Sequence, residues 1–333
     1  MIKNVIDRHV FAGLLLVLAA GGDARAQEPL NVIVTIKPVQ SIAASVMDGA
    51  GAPQLLVKGS GSPHSYSMRP SDAKALNKAN VVIRVSENLE SFLEKPIKSL
   101  SKSARVVTLA DLPGMKLLPI REGGAFEEHK HEEGHNDHGH GHAKKASGKK
   151  HDHGHDDEHE AHDAHLWLSP DNAAAIADGL AAVFAELRPE QAGLFKANAE
   201  KLKQQLAALD EELRGRLAPI KGKPFIVFHD AYQYFEEHYG LEAAGSITVS
   251  PDRQPGAARL KAIRAKIAKS RSACVFSEPQ FEPKLVATLI EGTDAKPGVL
   301  DPLGAALAEG KDQYFELMRG MAKSLNDCLA GSS

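Results

Sequence analysis

Short apolar runs alternate with amphipathic stretches along most of the chain. The apolar runs fall at residues 30–36, 54–57, 81–85, 106–109, 225–228, 273–276 and 298–300 and are rich in Val, Ile, Leu and Phe. Their shortness suits buried strands. Between them, residues 41–47, 71–78 and 259–268 carry apolar side chains at helical spacing. Strand-like runs separated by helical ones are the pattern of βα units, so the expected fold is α/β with parallel sheets.

Two segments interrupt the alternation. Residues 190–217 contain no internal Pro, and Leu202, Leu206, Leu209 and Leu213 stand at i, i+4, i+7 and i+11. That spacing predicts one helix of roughly 40 Å at 1.5 Å per residue, long enough to act as a rigid connector between two lobes. The second interruption, residues 121–164, holds eleven of the sixteen histidines, twelve acidic residues and six basic ones. With almost no apolar content it cannot offset the entropy of ordering, so disorder is expected. Its histidines are His129, His131, His135, His138, His140, His142, His151, His153, His155, His159 and His162. Imidazole suits Zn, Cu and Ni, and this density of imidazole and carboxylate reads as a weak, multi-site collector of metal ions.

The N-terminus reads as an address. Lys3 and Arg8 precede an eleven-residue apolar run, 10–20, followed by Ala24-Arg25-Ala26. These are the three parts of a signal peptide, which puts cleavage near Ala26-Gln27 and implies that the mature protein is exported. The run is too short for a bilayer span of about 20 residues, and no later run approaches that length, so no membrane-spanning segment is expected. In an oxidising compartment Cys274 and Cys328 can pair, a link worth on the order of 4 kcal/mol in the chain-entropy model; two buried free thiols are the alternative. The 333 residues are 43% hydrophobic and 25% charged with a net charge of −3. That balance excludes a disordered chain and gives no electrostatic footprint for nucleic acid.

Outside the tract five histidines remain, of which His9 lies in the signal and His238 in the helical YFEEHYG. The other three have a common context. His64 lies in a Gly/Ser/Pro loop after the 54–57 run, His165 stands at the mouth of the tract in AHLWLSP, and His229 ends PFIVFHD. Ligands of open parallel sheets bind beyond the carboxyl ends of strands, so histidines on different βα units can converge there. Asp301, after Val299-Leu300, has the same kind of position. Three neutral imidazoles and one oxygen make a tetrahedral set suited to Zn²⁺.

The segments GSPHSYSMRPSD, HLWLSP, KPFIVFHDAYQYF, CVFSEPQF and LDPLG resemble, in order and spacing, those of the metal receptors of ABC importers whose two lobes are joined by one long helix. The similarity is greatest to the zinc-receptor branch, in which an acidic His-rich loop precedes the second metal-binding His. The resemblance implies two (βα)-type lobes around a cleft. It makes His64 and His165 ligands from the first lobe and His229 a ligand from the second. It also implies a disulfide between Cys274 and Cys328, a monomeric receptor, and as partners an inner-membrane permease and its ATPase. Manganese-type relatives carry Glu where this chain has His229, which favours zinc. Some zinc receptors place a Glu before the first ligand His; here that position is Pro63, so the fourth ligand is expected to be Asp301, with water as the alternative.

The implied layout is a signal peptide over 1–26, a first lobe over 27–188, a linker helix over 189–219 and a second lobe over 220–333. A secreted zinc hydrolase would use the same three imidazoles with an open water position, and a free-standing zinc buffer would need no permease. The chain has no Ser or Cys nucleophile motif, so an enzyme is not expected. Glu278 and Asp230 could serve as bases, or equally as hydrogen-bond partners that orient a ligand.

Overall fold

The computed structural model describes residues 29–121, 162–248, 251, 255–270, 274–281 and 284–330. The expected signal peptide and ten of the eleven tract histidines lie outside the described residues. The first half of the fold runs β1 (Val32–Val34), α1 (Lys37–Val46), β2 (Gln54–Leu55), α2 (Pro70–Asn77), β3 (Val81–Arg84), α3 (Glu94–Leu100) and β4 (Arg105–Thr108). Two long helices follow, α4 (Pro170–Leu187) and α5 (Ala192–Leu217). The second half runs β5 (Phe225–His229), α6 (Gln233–Tyr239), β6 (Ala243–Thr248), α7 (Ala257–Ser270), β7 (Cys274–Ser277), α8 (Lys284–Ile290), β8 (Lys296–Val299) and α9 (Gln313–Leu329).

Each half is a four-stranded sheet, ordered β2-β1-β3-β4 and β6-β5-β7-β8, and every pairing is parallel. The two orders are the same topology repeated. In both, the first strand lies inside and its successors depart to opposite sides, which opens a crevice at the strand ends. All seven expected strands form; the eighth, β6, has the sequence AAGSIT, whose small residues give little strand signal.

Side-chain alternation along the strands divides the interior. Val32, Val34, Val81, Ile83, Phe225, Val227, Cys274 and Phe276 face one continuous core that also takes up Trp167, Phe184, Phe195 and Tyr314. The intervening Ile33 and Val82 face a small cluster with Leu76 and Leu93, and Ile226, Phe228 and Val275 face another with Ile263, Ile267 and Leu289. Period-two patterning thus gives each sheet one private face and one shared face. The shared core is lined by α5, a 26-residue helix whose Leu202, Leu206, Leu209 and Leu213 are all buried, as their spacing predicts. Cys274 and Cys328 form a disulfide that ties α9 to β7.

Polar contacts join the halves as well. The buried Lys37 ammonium on α1 donates to the carbonyls of Gly304, Ala305 and Leu307 at 2.7–3.0 Å. Trp167 Nε1 donates to Pro302 O at 2.9 Å, and Tyr314 OH donates to Trp167 O at 2.9 Å. No helix among the described residues is long and apolar enough to cross a membrane.

Candidate metal centre

Three histidines from distant parts of the chain meet between the two sheets. His64, on the loop between β2 and α2, packs its ring 5.5 Å from those of His165 and His229, and the latter two lie 5.0 Å apart by centroid. Their ligand nitrogens all fall within 4.8 Å of one another, the one such cluster among the described residues. His165 Nε2 and His229 Nε2 stand 3.2 Å apart. Two nitrogens bound to one tetrahedral zinc at about 2.0–2.1 Å are separated by about 3.3 Å, so this pair already has the spacing of a tetrahedral edge.

Local sequence explains the placement of His229 and His165. His229 is the last residue of β5, a fully buried strand. His165 precedes a single 3-10 turn, Leu166–Leu168, and then Ser169, whose hydroxyl caps α4 by accepting from Asn172 N at 3.3 Å, with Pro170 in the first turn. Asn172 fixes the approach to this helix by donating to Leu166 O and Lys116 O and accepting from Lys116 N.

Two buried carboxylates stand behind the imidazoles. His165 Nδ1 lies 2.7 Å from Asp163 Oδ1, and His229 Nδ1 lies 2.6 Å from Glu278 Oε1. A carboxylate only accepts, so Nδ1 carries the proton in each ring and the neutral imidazole presents the Nε2 lone pair to its partner. Two lone pairs facing each other at 3.2 Å repel unless a cation or proton lies between them. Asp163 was not anticipated as a functional residue. Its signal was the D-x-H spacing at the tract's exit, which lets the same oxygen also accept from His165 N at 3.0 Å. Glu278 takes the orienting role rather than that of a base, and Asp230 pairs instead with Arg121, which also reaches Glu236 at 2.8 Å.

The three rings differ electrostatically. Burial, together with the neighbouring His165 and His229, holds the His64 pKa well below the usual imidazole value. Burial pushes His229 the same way, but the nearby carboxylates, Glu278 foremost with Asp230 and Asp163, together outweigh it and leave it above that value. No side-chain hydrogen bond among the described residues fixes the His64 ring.

Asp301 does not join the converging ligand atoms. It lies after β8, as expected, but its Oδ1 accepts from Leu303 N, Gly304 N and Gln280 Nε2 at 2.8–3.1 Å, and its Oδ2 accepts from Ala305 N at 2.6 Å. The D-P-L-G turn causes this: Pro302 stiffens it, and Gly304 at φ 68° turns successive amides toward the carboxylate. His162, the one described tract histidine, forms an antiparallel bridge with Pro119. The tract's borders are therefore part of the fold. Arg121 is held by Asp230 and Glu236, and Asp163 is held by Leu118 O and by the Tyr234 hydroxyl, which donates to Asp163 O at 3.0 Å.

Two parallel sheets linked by one long helix, with imidazoles from both converging between them, define a two-lobed solute-binding protein whose solute is a metal ion. Residues 32–328 match the family model described as zinc-uptake complex component A, periplasmic. The chain belongs to this family, whose members are solute-binding receptors and not enzymes. It is 48% identical over 325 residues to the high-affinity zinc uptake system protein ZnuA of Brucella suis, covering 93% of this chain and 94% of that protein. It is 36% identical over 298 residues to the Yersinia pestis protein of the same name, covering 90% and 91%. Among solved structures, a crystal structure of ZnuA superposes with a TM-score of 0.73 at 23% identity, covering 91% of this chain and 100% of that one. The solute-binding protein FpvC of Pseudomonas aeruginosa, solved with Mn²⁺, gives 0.72 at 19% identity, covering 92% and 100%. At those identities the structural likeness supports the fold.

Proposed function

We propose that this protein is an exported zinc receptor that captures Zn²⁺ between its lobes and delivers it to an inner-membrane ABC permease driven by its ATPase. His64, His165 and His229 are the protein ligands in this reading. The observation that carries it is the 3.2 Å approach of two Nε2 atoms whose opposite nitrogens are held by buried carboxylates. Such a set is neutral, nitrogen-rich and already arranged, which suits zinc more than the oxygen-seeking Mg²⁺, Ca²⁺ or Mn²⁺. In the layout that goes with it, residues 1–26 are the cleaved signal, 27–188 and 220–333 are the lobes and 189–219 is the connector.

Delivery would rest on a small shape difference. A permease distinguishes loaded from empty receptor only through a differential interaction with the two forms. The continuous core and the Lys37 and Trp167 contacts across the lobes favour local movement at the ligands over wide hinge opening. The His-rich tract, whose exit lies two residues before His165, would raise the local supply of ions as a set of weak sites. The Cys274–Cys328 disulfide fits an oxidising compartment, and the receptor would act as a monomer.

The test is a zinc titration of the mature protein beside His64→Ala, His165→Ala and His229→Ala. Each substitution should weaken the tightest site by orders of magnitude while leaving the weak sites in place. Retention of the tight site in any one of the three variants would overturn the reading.

A further inference from the structure

Resting on that three-histidine reading, we propose that Gln280 completes the coordination sphere, its amide oxygen being the fourth ligand and Asp301 the positioning residue that aims it. Gln280 lines the same pocket as the three imidazoles, together with Trp167 and Phe281. Its amide orientation is fixed by chemistry: Nε2 lies 2.8 Å from Asp301 Oδ1, and a carboxylate can only accept, so the NH₂ group must face Asp301. The amide oxygen is then directed away from Asp301. It is buried and has no hydrogen-bond partner among the described residues. A buried amide oxygen without a donor costs on the order of 1–3 kcal/mol, and a cation in the pocket would relieve that cost.

Two further observations favour a direct bond over a bridging water. The space among these side chains measures about 10 Å³, room for about one water-sized body. An ion and a separate water would therefore compete for the same space. The arrangement also repeats the construction found behind two of the imidazoles: Asp163 holds His165, Glu278 holds His229 and Asp301 holds Gln280. Each of these neutral groups is oriented by a buried or half-buried acid. Asp301 would thus act through Gln280, with its own oxygens engaged by the 303–305 amides. A sphere of three imidazoles and one amide carries no charge. This disfavours ions that need carboxylate ligands and makes the residue a determinant of metal choice.

The test uses the full mature protein, zinc supplied below one equivalent, and competition with a chelator so that only the tightest site reports. Gln280→Met removes the oxygen and keeps the volume; Gln280→Glu keeps an oxygen and adds charge. Loss of an outer partner typically weakens metal binding about 10–100-fold, so loss of a ligand should reach about 100-fold or more. The Met variant should therefore bind zinc about 100-fold more weakly, change the visible spectrum of the cobalt(II)-loaded protein, and melt like the wild type without metal. The Glu variant keeps an oxygen but loses its hydrogen bond to Asp301, so it should bind zinc more weakly than the wild type yet more tightly than the Met variant, alter the cobalt spectrum and gain manganese binding relative to zinc. Wild-type zinc affinity and an unchanged cobalt spectrum in the Met variant would overturn the proposal. Should the Met variant fold poorly, an unchanged cobalt spectrum in the Glu variant would overturn it equally. His229→Ala in the same assay separates the two claims. If it keeps the tight site, the three-histidine reading itself fails; if it loses the site while Gln280→Met does not, only the assignment of Gln280 fails.

Discussion

The two sheets share one strand order but put the ends of their central strands to different uses. In the second, β5 ends in His229, and Glu278, just past β7, accepts from both its backbone and its ring. In the first, the equivalent carboxylate is Glu90, beyond β3. It is fully buried and accepts from Thr35 Oγ1 at 2.6 Å, Val85 N at 3.0 Å and Ser86 N at 3.1 Å. One acid orients an imidazole of the cluster; the other ties the strand ends together. Accordingly the first lobe brings its histidines from loops, His64 after β2 and His165 before α4, whereas the second offers one directly from a strand. A repeated topology thus supplies equivalent places for a buried acid, and the residue opposite decides whether that place serves binding or structure.

Neutralising each acid in turn should have different consequences. Glu278→Gln should weaken tight zinc binding about 10–100-fold, the usual cost of losing a ligand's outer partner. Glu90→Gln should leave zinc affinity unchanged and lower stability by about 1–3 kcal/mol, because a Gln NH₂ group would face backbone donors. Equal effects of the two on zinc, read by chelator competition and thermal melting, would remove the distinction.

A deletion sharpens it next. Removing residues 122–161 should abolish the weak sites and preserve the tight one, since Pro119 and His162 already form a bridge at the base of the tract. Extending the deletion through Asp163 should cost about 10–100-fold at the tight site, because it removes the carboxylate behind His165. A titration counting tight and weak sites distinguishes the two deletions.

Acidity gives a smaller, graded effect. Zinc binds the neutral imidazole, so a proton competes wherever the ring's pKa lies. For His229, whose pKa Glu278 holds above the usual imidazole value, competition begins at a higher pH than about 6.5. Zinc affinity should therefore decline on acidification from above that pH, by about tenfold per unit for each ring that must lose a proton. His64, held well below that value, should not contribute until the medium is more acidic. Glu278→Gln removes the carboxylate that raises His229, so its decline should begin at lower pH even though its affinity in neutral solution is weaker. A decline that starts at the same pH in both proteins would contradict the assigned role of Glu278.

Much of this was legible in the chain. The β-branched runs marked seven strands, and the leucine spacing of α5 marked the connector, because those segments are buried and their patterns record it. The three histidines were legible as strand-end or loop residues that parallel topology brings together. Strand β6 was not, since AAGSIT is stabilised by its place beside β5 and carries little propensity of its own. Asp163 was hidden by composition: it reads as the last acid of a charged tract until the contacts with Leu118 and Tyr234 show it to be folded. Asp301 was correctly placed beyond its strand, but which donors would claim its oxygens depended on the turn geometry at Pro302 and Gly304. Gln280 gave no sequence signal that separates it from a surface amide.

In the proposed reading, His165 and His229 carry their protons on Nδ1, against Asp163 and Glu278, and join His64 in binding one ion through their free nitrogens. Long-range ¹⁵N–¹H correlation of the imidazoles, before and after one equivalent of zinc, observes these protons and lone pairs. Nδ1–H tautomers are expected for both rings, with zinc shifting Nε2 of each and one nitrogen of His64 in the same step. Metal on Nδ1 of either ring, or one equivalent of zinc that leaves these three rings unshifted, would contradict that reading.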